Sequence, residues 1–108
     1  MGQFLYQIRP TRVEMLSEGP TEGEVKITEE HFKYLERLVE EGTVLMCGRT
    51  LTPDKDAFGI IVFEADSDSS AKAIMENDPA VRHNIMEATL FPYRVALWSK
   101  RGPSKGKK

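Results

Sequence analysis

The chain has 108 residues, 40% of them hydrophobic, which suffices for one small core and not for several domains. Residues 1–99 carry 10 basic and 17 acidic side chains and residues 100–108 add five basic and no acidic ones, and an acidic body without interleaved basic and aromatic surface argues against a dedicated nucleic-acid binder. No apolar run approaches the roughly 20 residues of a membrane span, the first residues lack a basic-then-apolar leader, and the single Cys47 has neither a disulfide partner nor zinc-ligand neighbours. The expectation is a cytoplasmic domain over residues 1–99, without metal or cofactor, followed by a basic flexible tail over 100–108.

In chain order, residues 3–8 (QFLYQI) mix aromatic and branched side chains with alternating polar ones and predict a strand. Residues 9–20 read as a long charged loop. From about 21 to 41, Val25, Thr28, Phe32, Leu35 and Val39 recur at three- and four-residue steps, the mark of an amphipathic helix. Thr21 with Glu24 fits a capping box, Thr28 offers a later start, and Gly42 ends the helix in either case. Residues 43–51 and 57–65 predict a strand hairpin, Ser67 caps a helix over about 68–77 with Ala71, Ile74 and Met75 inward, and residues 91–99 predict the last strand.

The order βαββαβ predicts an α+β ferredoxin-like plait, a four-stranded antiparallel sheet with two helices on one face. The strands carry apolar residues at both parities, such as Phe4 with Leu5 and Ile60 with Ile61. Because helices cover only one face, the other calls for a face-to-face homodimer.

The stretches FLYQIRP, EEHFKYLERLVEEGTVLMCGRTL, FGIIVFEADS and NDPAV followed by LFPYRVAL resemble the YciI-like (YCII-related) family over residues 3 to 99. That resemblance implies a dimeric α-β barrel built from this plait. It also points to the family's pattern of a helical histidine, a strand glycine and an Asp-Pro, here His31, Gly48 and Asp78-Pro79.

At about 100° per residue, His31 falls on the same stripe as Leu35 and Leu38, which fits either a satisfied core histidine or a general acid or base held in a pocket. Asp78 before Pro79 is what a new helical turn requires, with Asp as N-cap and Pro at the first position. The resemblance adds a second role, a carboxylate that orients the His31 imidazole. Arg9, Arg12 and Arg49 are candidates to hold an anionic substrate, and Gly48 either admits a ligand or marks a bulge. Cys47 reads as a buried, inert thiol and His83 as exposed.

The function that follows is cofactor-free proton transfer, a lyase- or isomerase-like reaction on a small aromatic or anionic molecule, with His31 as acid or base and Asp78 as its orienter. The resembled family includes a dehydrochlorinase of a chlorinated hydroxylated aromatic. Related dimeric α-β barrels add cofactor-free oxygen chemistry and lactone isomerisation. A non-catalytic small-molecule-binding domain or a structural dimerisation module are the alternatives.

Overall fold

In the computed structural model, which describes residues 1–104, β1 spans Gly2–Pro10 and turns Phe4, Tyr6 and Ile8 into the core, with Leu5, Gln7 and Arg9 on the opposite face. The segment expected as a plain loop contains a single helical turn, α1 (Glu14–Ser17), which buries Met15. α2 (Glu22–Glu40) begins at the capping box: Thr21 Oγ1 accepts from the Glu24 amide at 3.1 Å, and the Glu24 carboxylate accepts from the Thr21 amide at 2.8 Å. The later start at Thr28 is thereby excluded. β2 (Val44–Arg49) and β3 (Gly59–Ala65) follow, then α3 (Asp68–Glu76) capped by Ser67, the single turn α4 (Pro79–Arg82) and β4 (Met86–Tyr93).

All strand pairings are antiparallel and the sheet order is β2-β3-β1-β4, the expected plait. Its core joins Phe4, Tyr6, Ile8, Val44, Ile61, Phe63 and Ala65 of the sheet to Leu35 and Leu38 of α2 and Ala71 of α3, so both long helices lie on one face. The rings of Phe4 and Tyr6 flank Phe63, the latter edge-on with centroids 5.7 Å apart. Of the expected tail, residues 100–104 continue in turns beyond the sheet, and the remainder lies outside the described residues.

Two expectations are corrected. In α2 the buried residues are Leu35 and Leu38, whereas Val25, Phe32 and Val39, expected inward, are 42%, 65% and 46% exposed. The core-facing line runs through Ile27, His31, Tyr34, Leu35 and Leu38, because α2 must also pack on α4, and this turns the seven-residue series 25–32–39 toward solvent. The last strand also lies earlier than residues 91–99. It starts just past Asn84, whose φ of 64° makes the turn, and directs Met86, Ala88 and Leu90 toward the core. Residues 94–98 leave the sheet. The Val95 amide donates to the Gln3 side-chain carbonyl at 2.7 Å, and the segment borders a groove on the open face with Met46 and Val62.

Gly59 sits where β3 meets both neighbours. A Cβ there would lie 3.1 Å from Ile8 Cγ1 and 3.2 Å from the Gly48 carbonyl oxygen, while a Cβ at Gly48 would meet nothing within 4 Å. Gly59→Ala is therefore expected to destabilise the fold by about 1 kcal/mol, as overpacking does. Gly48→Ala should be neutral or slightly stabilising through the unfolded chain. Urea unfolding of the two variants checks this, and equal midpoints would contradict it.

Candidate active site

Local sequence chemistry sets the position of Asp78. Pro79 keeps the preceding residue out of the helical region, and Asp78 adopts φ −63°, ψ 123°, closing α3 and capping α4 through a 3.0 Å bond from the Ala80 amide to Oδ1. The same carboxylate is fully buried. It therefore needs further donors, since an unpaired charge in the core costs several kcal/mol (roughly, after relaxation).

Two side chains supply them. His31 Nδ1, from the inward face of α2, lies 2.6 Å from Asp78 Oδ1, and Tyr6 Oη, from the central strand β1, donates to Oδ2 at 2.6 Å. With Nδ1–H donating to the carboxylate, the neutral imidazole carries its free lone pair on Nε2. Nε2 has no partner among the described residues, yet no buried side-chain nitrogen or oxygen lacks one, and the His31 side chain is 14% exposed. That nitrogen consequently opens to solvent.

Tyr6 was not expected as a site residue. The signal for it was an inward parity shared with Phe4 and Ile8, since a buried phenol must find an acceptor. Burial first, then the charge and hydrogen bond of Asp78, push the Tyr6 pKa far upward, so the phenol remains a neutral donor. Burial and the Asp78 charge also raise Tyr34, whose hydroxyl donates to the Ile74 carbonyl at 2.7 Å.

Cys47, expected buried, is exposed. It pairs with Ile61, which pairs with Tyr6, so the three share one row on the helix side of the sheet. The burial its sulfur retains, and then the Asp78 charge, raise its pKa and keep it a thiol.

The other candidates are not gathered at His31. Alternation places Arg9 on the open face, where it stacks 5.5 Å over Phe58 and reaches the Ala57 carbonyl at 3.4 Å. Gly48 pairs with Ile60 and also belongs to the open face, and the register irregularity of β2 lies between Val44 and Met46 instead. Arg49 pairs with Gly59 on the helix side and its guanidinium reaches the Thr50 carbonyl, at 3.3 Å. Arg12 is bound by Glu24 through two bonds of 2.7 and 2.8 Å. Among the described residues no group of three His, Cys, Asp or Glu side chains could hold a metal ion, and no helix is long and apolar enough to cross a membrane.

The chain belongs to the YCII-related domain family, whose profile matches residues 5–94. Among solved structures it is similar to 5-chloro-2-hydroxyhydroquinone dehydrochlorinase (TftG) from Burkholderia phenoliruptrix AC1100, in complex with 2,5-dihydroxybenzoquinone. The TM-score is 0.61 at 19% identity over 84% of this chain and 93% of that one, a likeness of fold. No curated protein sequence matches this YCII-related chain.

The Arg12–Glu24 pair gives a pH signature separate from the His31–Asp78 pair. The guanidinium, together with the Thr21 amide, holds the Glu24 pKa down to about 2, from an ordinary 4.5. A depressed carboxyl pKa stabilises the fold above the unfolded value and loses that contribution as pH falls toward the folded one. The melting-temperature deficit of Arg12→Gln should accordingly be widest above about pH 5 and narrow toward about pH 2. A deficit independent of pH would show that Arg12 acts through packing alone.

Proposed function

We propose that this YCII-related protein is a small cofactor-free enzyme, a cytoplasmic homodimer in which His31 moves a proton at Nε2 during lyase- or isomerase-like chemistry on a small hydroxylated aromatic or anionic molecule. The observation that carries the proposal is the 2.6 Å bond from His31 Nδ1 to a fully buried Asp78, with Nε2 left open. The carboxylate fixes the tautomer and stabilises the imidazolium formed when Nε2 takes a proton. In an elimination the proton goes from substrate to Nε2, its electron pair forms the new double bond, and the leaving group departs with its own pair. In an isomerisation Nε2 returns the proton at another atom.

TftG, named as a dehydrochlorinase of a hydroxylated hydroquinone and bound to a dihydroxybenzoquinone, supports hydroxylated rings as the substrate class. Arg49 does not join the His31 cluster, but of the three candidate arginines it is the one on the helix side of the sheet, and we assign it to an anionic group of a substrate extending along that side. The functional unit is residues 1–99. Its open face exposes Met46, Phe91 and Tyr93, and a second copy covering them gives the dimer.

Proton transfer is tested without knowing the leaving group. Hydroxylated quinones and small organic acids incubated with the protein in deuterated water should exchange ring or α protons. His31→Gln should slow that exchange by about 10²–10⁴-fold, the usual contribution of a general base. Saturable binding without exchange would assign the pocket to a non-catalytic binding domain. Light scattering at micromolar concentration should give a dimeric mass, and a concentration-independent monomer would remove the barrel.

A further inference from the structure

Asp78 Oδ1 already accepts from the His31 ring and from the Ala80 amide, and Oδ2 accepts from the Tyr6 hydroxyl. The cap and the histidine both bind one oxygen and leave the other facing the core without a donor of their own. Tyr6 supplies that donor. Its ring has no solvent exposure and stands edge-on to Phe63 within the rows of β1 and β3, so the hydroxyl cannot swing away. Tyr34, the other phenol near this charge, has its proton committed to the Ile74 carbonyl.

We infer that Tyr6 is a positioning residue of the site: by occupying Oδ2 it holds the Asp78 carboxylate against rotation and keeps Oδ1 on His31 Nδ1, and so sets the tautomer that frees Nε2. A carboxylate left with a bare buried oxygen would rotate toward another donor, and that turns the lone pair away from the imidazole. Three donors then fill three of its roughly four acceptor sites. Asp78 is on this account committed to holding the histidine, and the lone pair left free to take a proton is that of Nε2. The inference rests on the proton-transfer reading of His31, and its test separates the two.

The measurement is proton–nitrogen correlation spectroscopy of the His31 ring in the full chain, for wild type, Tyr6→Phe, Asp78→Asn and a protein with fluorotyrosine at position 6. Wild type should show a downfield, slowly exchanging Nδ1–H and an unprotonated Nε2. Tyr6→Phe should speed exchange of that Nδ1–H on the order of tenfold and admit the other tautomer, since a hydrogen bond to a charged group contributes at least that factor. Should Tyr6→Phe not fold, the fluorotyrosine protein decides. A more acidic phenol draws charge from the carboxylate, and the Nδ1–H resonance should move upfield while the fold is kept. Asp78→Asn should abolish the downfield resonance. If Asp78→Asn does so while phenylalanine or fluorotyrosine at position 6 leaves exchange and shift unchanged, Tyr6 is packing and the positioning role is overturned. If Asp78→Asn itself leaves the ring unchanged, the His31–Asp78 pair fails and the proton-transfer reading with it.

Discussion

A fully buried carboxylate is tolerable only if its charge is met by donors at hydrogen-bond distance, and that requirement at Asp78 organises this molecule. The donors come from three places in the chain: the Tyr6 hydroxyl of β1, the His31 ring of α2 and the Ala80 amide that begins α4. Each is fixed by an independent structural element. The charge ties the middle of the sheet, the face of the longest helix and the turn between α3 and β4 into one cluster. Its geometry cannot relax at one corner without stranding a polar group at another.

The plait makes that convergence possible. β1 lies between β3 and β4 in the sheet, so a side chain at its centre projects beneath the helices with neighbours on either side. Ile61 and Leu90 flank Tyr6 by register, and Phe63 braces its ring. Helix α2 supplies His31 because its inward line runs through Ile27, His31, Leu35 and Leu38 at helical spacing, with Leu35 and Leu38 anchored in the core. One short turn therefore ends a helix, begins another and orients an imidazole. The N-cap bond uses one lone pair of Oδ1 and leaves room for the ring.

The opposite face of the sheet has a different character. Arg9 and Gly48 lie there, together with the exposed rings of Phe91 and Tyr93, and residues 94–98 border a groove on it. Arg12, on the loop after β1, fastens that loop to the first turn of α2 through Glu24, whose carboxylate also completes the capping box. Its charge is thus committed to structure. The basic residues separate in this way according to the face or loop that carries them, a distinction that sequence proximity does not express.

The sequence by itself determined what is local and periodic. The capping box at Thr21 and Glu24, the Ser67 cap, the Asp78-Pro79 turn, the alternation of β1 and the continuous apolar run of β3 each rest on patterns within a few residues, and they suffice to give the order βαββαβ. His31 was legible on the inward stripe for the same reason, since helical spacing alone aligns it with Leu35 and Leu38. Tertiary structure decided what depends on packing between distant segments. The seven-residue series Val25, Phe32 and Val39 has helical periodicity too, and only the docking of α2 on the sheet and α4 shows that it faces out. The apolar density of residues 91–99 concealed a strand at Met86–Tyr93, because pairing with β1 selects by register and hydropathy cannot. The phenol of Tyr6 meets the carboxylate of Asp78 across 72 positions of chain. No local pattern encodes that contact, because it exists only when the sheet, the helix and the turn close around the same charge.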